Sequence, residues 1–93
     1  MNRQKLKIAR NKIDQLDKNI FNLIKKRTRI VKYMLNLKQF KSQIVDRKRI
    51  KIILRNIRNK SIKNDVDPKI TTRIWRAMIW GYVDFQKKNF KKK

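Results

Sequence analysis

The sequence predicts an all-α protein of three helices, the first of them very long. Three observations carry this. Apolar residues recur at helical spacing from Leu6 to Met34 and again after residue 50. Gly and Pro occur once each in 93 residues, too few for strands joined by turns. Two aspartates, Asp46 and Asp67, stand where helices would begin, and the second is followed directly by Pro68.

The first helix is expected from about Arg3 to Phe40, because neither Gly nor Pro interrupts that stretch. Its apolar seam is Leu6, Ile13, Leu16, Ile20, Leu23, Ile24, Val31 and Met34. A connection over Lys41 to Val45 follows, and Asp46 can then cap a second helix by accepting from the free amides of its first turn. That helix carries Ile50, Ile53, Leu54 and Ile57 on one face and weakens near Ser61 to Asn64, with Asn64 as a left-handed C-cap residue. Asp67 caps the third helix, and Pro68 at its first position has no amide to leave unpaired. Val66, just ahead of the cap, is placed to form a hydrophobic staple. The third helix runs to about Phe90, with Ile70, Ile74, Ala77, Met78 and Phe85 on one side and Trp75, Trp80 and Tyr82 around them. Gly81 in mid-helix costs roughly 1 kcal/mol against Ala, which points to close packing or ligand approach there.

The chain is one domain over residues 1–93, and a thin one. The first helix, roughly 35 residues, would extend about 50 Å, more than a compact chain of this size can cover on one side. A second chain, an antiparallel return by the rest of this one, or both must bury the seam.

Two cations stand in that seam. Arg27 follows Ile24 by three and precedes Val31 by four, and Lys38 follows Met34 by four. They are eleven positions apart, about three turns, and so share a side. Charged groups turned toward an apolar interior need partners. They pair with Asp or hold an anion.

Composition narrows the chemistry. The chain has 29 Lys and Arg against 6 acids, for a net charge of +23. Such a surface attracts polyanions non-specifically at low salt. It has neither Cys nor His, so disulfides, thiolate nucleophiles and the commonest proton shuttle and metal ligand are excluded. Asp14 and Asp17, three apart in a lysine-rich helix, suit surface ion pairs better than acid–base catalysis. No apolar run is long enough to span a bilayer, and the basic N-terminus lacks the apolar block of a signal peptide. A cytoplasmic protein without metal or cofactor is the expectation. What remains is a set of fixed donors: Arg10, Arg27, Lys38, Arg49 and Gln86, the last four positions after Tyr82. Such a set suits a small dianion whose reaction needs only positioning and charge stabilisation.

The run Arg10-Asn11-Lys12-Ile13-Asp14-Gln15-Leu16-Asp17, then Leu23-Ile24-Lys25-Lys26-Arg27, then Lys38, resembles the opening helix of the all-helical AroQ-class chorismate mutases. Asp46-Arg47-Lys48-Arg49 is similar to that family's D-P-x-R segment, with Arg47 in place of Pro. Val66-Asp67-Pro68 is similar to its L-D-P turn, and Gln86 falls at its C-terminal Gln. The resemblance implies the chorismate mutase type II fold, an intertwined antiparallel homodimer in which Arg10 enters the pocket of the other chain. Arg10 is seventeen positions from Arg27, about 25 Å along the helix, so an antiparallel second copy can deliver it where its own helix cannot. The resemblance further implies that Arg10 and Arg27 hold the two carboxylates of chorismate, that Arg49 adds positive field, and that Lys38 and Gln86 donate to the ether oxygen. Two positions depart from the pattern. Ile50 stands where the mutases place Glu for the ring hydroxyl, and Tyr82 stands where they often have a small hydroxyl residue. Both resemble isochorismate-pyruvate lyases, while Asp46 is placed to take over the hydroxyl.

Two readings compete with an enzyme. A basic helical nucleic-acid binder accounts for the charge but not for cations inside an apolar seam, and it would expose aromatics for stacking. A dimerisation module would pair Arg27 permanently with an Asp of the second copy.

Overall fold

The computed structural model describes residues 2–91. Its elements are α1 (Arg3–Leu37), a short 3-10 turn (Lys41–Gln43), α2 (Arg47–Lys63) and α3 (Pro68–Asn89). Among the described residues there is no strand, and no helix is long and apolar enough to cross a membrane. The chain divides into two compact units, one ending at Lys32 and the other starting at Tyr33.

The first unit is helix alone. Asn2 caps it: its side-chain Oδ1 accepts from the Lys5 amide at 3.1 Å and its carbonyl from the Leu6 amide at 3.2 Å. The expected apolar seam is present and lies open on this unit, with Ile13, Leu16, Ile20 and Leu23 each more than half exposed. Val31 is buried, and Leu6, Arg27 and Thr28 are half-buried.

The second unit has a small core of Leu35, Ile44 and Val83, with Val45 and Phe90 packed against it. This core explains why α1 ends at Leu37 rather than at Phe40 as the absence of breakers suggests. Ile44 can reach Leu35 and Val83 only if the chain reverses, and Gln43 secures the reversal. Its Oε1 accepts from the amides of both Gln39 and Phe40 at 2.8 Å, amides that a continuing helix would have paired to carbonyls one turn back.

Asp46 caps α2 as expected, accepting from the Arg49 amide at 3.0 Å. Asp67 caps α3 through the Lys69 amide at 2.9 Å, with Pro68 at the first helical position. The C-terminus of α2 differs from expectation. Asn64 is not left-handed (φ −105°); the residue with positive φ is Asp65, at 57°. The Val66 amide reaches back to the Ser61 carbonyl at 2.9 Å and the Asp65 amide to that of Ile62 at 3.4 Å. This pair of bonds is a Schellman motif, which places the left-handed residue one position beyond Asn64. Val66 is thus engaged through its backbone, and the staple position one turn into α3 is Thr71, which is polar.

The helices α2 and α3 pack as a hairpin. Ile50, Ile53, Leu54 and Ile57 are half-buried on the expected face of α2. Ser61 is buried, its hydroxyl 2.6 Å from both the Ile57 carbonyl and the Thr71 hydroxyl. On α3 the buried residues are Ile79, Val83 and Gln86; of the expected stripe, Met78 and Phe85 are half-buried while Ile70 and Ile74 are more than half exposed. Trp75 and Tyr82 are half-buried and Trp80 is 40 % exposed. The aromatics are not all withdrawn, since Phe21, Tyr33 and Phe40 are each more than 60 % exposed.

Gly81 is not crowded: a Cβ built there meets no atom within 4 Å, contrary to the expectation of close packing in this chain. Two glycine exchanges should therefore both stabilise the protein. Gly81→Ala should add about 0.5–1 kcal/mol by removing backbone freedom from the unfolded chain. Asp65→Gly should add about 0.5 kcal/mol by relieving the left-handed side chain. Urea midpoints at one fixed protein concentration check both, and a lowered midpoint for Gly81→Ala would show that something packs on that face.

Candidate active site

The core of the second unit sets two polar side chains against each other. Leu35 and Val83 belong to the same cluster, and three positions after them come Lys38, just past the end of α1, and Gln86 on α3. The Lys38 ammonium donates to Gln86 Oε1 at 2.6 Å. The Gln86 amide nitrogen in turn donates to the Tyr82 carbonyl at 3.2 Å, which fixes which end of the amide faces the lysine. Gln86 is 7 % exposed and thus held on all sides. A buried amide can meet an ammonium without the desolvation cost of a second charge.

Lys38 also lines an open cleft of about 670 Å³ together with Ser42, Asp46, Arg47 and Lys48. The cleft forms where the chain leaves the 3-10 turn and enters α2. Partial burial pushes the Lys38 ammonium below its ordinary value of 10.5, and the nearby Asp46 carboxylate pulls it back up. Asp46 therefore has two tasks, capping α2 and supplying negative charge to Lys38.

Of the residues singled out from the sequence, Lys38, Asp46, Tyr82 and Gln86 are brought together in this second unit, through the cleft and the two hydrogen bonds. Arg49 is tied to Asp46 by its backbone amide, with its side chain exposed. Ile50 is half-buried in the next position of α2. Arg10 and Arg27 belong to the first unit, Arg10 exposed and Arg27 half-buried. Sequence reasoning missed the supports. Leu35 and Val83 each precede a polar partner by three, a spacing that marks a shared helix face, and Gln43 gave no signal because its role depends on the turn geometry. It also missed Arg47 and Lys48 as cleft residues.

The arrangement offers a held cation and an amide beside an open cleft. It can stabilise negative charge developing on a small molecule. The sequence profile of the chorismate mutase type II family matches residues 9–87, and the chain belongs to that family. Comparison with curated proteins and with solved structures finds no match.

The lysine is open to direct measurement. By NMR titration, Lys38 should lose its proton below the ordinary lysine value of 10.5. Asp46→Asn should lower its pKa further, because the favourable charge is gone while Asn still caps the helix. The folded state then binds fewer protons than the unfolded state between the lowered value and 10.5. Stability contributed by this group should rise with pH across that window and be at its lowest below it. An unchanged Lys38 titration in Asp46→Asn would refute the coupling.

Proposed function

We propose that the chain is a chorismate mutase that rearranges chorismate to prephenate by positioning and charge stabilisation alone. The observation that carries the reading is the Lys38–Gln86 pair at 2.6 Å beside the cleft, in a member of the type II family that has neither His nor Cys. A pericyclic rearrangement needs no base and no nucleophile. As the C–O bond of the substrate opens, negative charge gathers on the ether oxygen. Lys38 and Gln86 are the donors assigned to that oxygen. Lys38 supplies full charge, and the second N–H of the Gln86 amide nitrogen is assigned as the other donor. Groups already in place stabilise the transition state more than the ground state.

Arg27 and an Arg10 supplied by a second copy are assigned to the two carboxylates, which holds the side arm over the ring in a reactive pose. Arg49 adds positive potential, and Asp46 is assigned to the ring hydroxyl in place of a carboxylate at position 50, where Ile50 presents only apolar surface. Tyr82 closes the side of the site from which the Gln86 amide is oriented. The active form is proposed as an antiparallel homodimer. Its support is the row of apolar side chains on α1 that this chain leaves exposed. Each full chain then acts as a single domain, working in the cytoplasm without metal or cofactor and with nucleic acid bound only non-specifically. The apolar Ile50 and the Tyr82 favour isochorismate-pyruvate lyase as the second reading, since a site that leaves the ring hydroxyl unread discriminates less between the two isomers.

Purified protein given each substrate separately should consume chorismate and form prephenate; salicylate and pyruvate from isochorismate instead would establish the lyase. Arg27→Ala and Lys38→Ala should each lower kcat by about 100-fold or more with helicity by circular dichroism retained. Sedimentation should give twice the 11.5 kDa chain mass, and a monomer at full activity would overturn the shared-site arrangement.

A further inference from the structure

The first turn of α2 breaks a local rule. Asp46 caps it, but Arg47, Lys48 and Arg49 follow in succession and no acid occupies the turn. Cations at the positive end of a helix dipole are unfavourable, where acids would have been favourable. Two of the three, Arg47 and Lys48, line the same cleft as Lys38, and both are exposed. Neither makes the held contact that Lys38 makes with Gln86. The cleft thus has one cation fixed by a hydrogen bond and two long, solvated cations at its border, against a single lining carboxylate, Asp46.

We propose that Arg47 and Lys48 form a capture rim: they concentrate the dianionic substrate at the cleft and take no part in the rearrangement. The inference rests on the mutase reading and deepens it, because it names the residues that govern substrate entry. Exposed cations act on a distant anion through a screened field whose range is about 8 Å at physiological ionic strength, and clefts lined by one sign of charge raise the local concentration of the opposite ion. Their effect therefore belongs to kcat/KM and to its salt dependence, not to kcat.

The test compares two double variants that each lower the net charge from +23 to +21. Arg47→Gln/Lys48→Gln alters the rim. Arg58→Gln/Lys63→Gln removes the same charge from the far half of α2, where Arg58 lies about 15 Å along the helix from Lys48. With chorismate as substrate, kcat/KM is measured at about 20 mM and about 200 mM salt, a span over which the field is progressively screened. The rim variant should lose about 5-fold in kcat/KM at low salt, entirely through KM, and show a flatter salt dependence than wild type. The control variant should lose no more than about 2-fold at the lower salt and stay within about 1.5-fold of wild type at the higher. Circular dichroism confirms that the helices persist, and the single variants Arg47→Gln and Lys48→Gln should each give part of the loss.

Equal losses in the two doubles would overturn the proposal in favour of total charge, while leaving the mutase reading intact. So would a fall in kcat at unchanged KM, or a rim variant with wild-type salt dependence. Wild-type protein that turns over no chorismate would overturn the mutase reading and the capture rim with it.

Discussion

The second unit depends on one arrangement: an ammonium held against a neutral buried amide by the apolar contacts one turn away. Leu35 and Val83 are in a common core with Ile44, and the register they impose brings Lys38 and Gln86 to 2.6 Å. Most other local features serve that register. Gln43 secures the turn that lets Ile44 enter the core, and the Tyr82 carbonyl fixes the amide. A carboxylate in place of Gln86 would bind the lysine more strongly and also neutralise it. The amide orients the cation and leaves its charge available.

Charge is arranged in layers of increasing exposure. Lys38 is half-buried and lowered by desolvation. Asp46 opposes that shift while closing the first turn of α2. Arg47, Lys48 and Arg49 lie outside, exposed and next to one another. The innermost charge is the one whose position is fixed, and the outer ones are free to follow a ligand. Desolvation strengthens the electrostatic effect of the first, and solvent limits the others to field effects.

Much of the fold was legible in the sequence because its signals are local. Asp46 and Asp67 declare helix starts through their own backbone bonds, and Pro68 fits only at such a start. The spacing of Ile50, Ile53, Leu54 and Ile57 fixed the inner face of α2. Features that failed to show were those set by non-local packing. The end of α1 is decided by the burial of Ile44, which no residue near Leu37 encodes. Of the α3 stripe expected on Ile70, Ile74, Ala77, Met78 and Phe85, Met78 and Phe85 are half-buried, while packing withdraws Ile79, Val83 and Gln86 further. Residue type points to Asn64 as the left-handed residue, and the reach of Val66 back to Ser61 sets it at Asp65 instead. For the candidate site, residue types and spacing single out Lys38 and Gln86, and the resemblance adds Asp46. The two cations beside Asp46 were hidden by a composition in which Lys and Arg are everywhere.

The uncovered apolar side chains of the first unit have a further physical consequence when set beside the net charge. A helix that shows Ile13, Leu16, Ile20, Phe21 and Leu23 to water would ordinarily cluster without order. Mutual repulsion between chains of +23 opposes such clustering at long range, and dissolved salt weakens that repulsion while leaving apolar attraction in place. The colloidal behaviour of the protein is thus governed by ionic strength: dilute electrolyte keeps molecules dispersed, and concentrated electrolyte lets their oily edges meet.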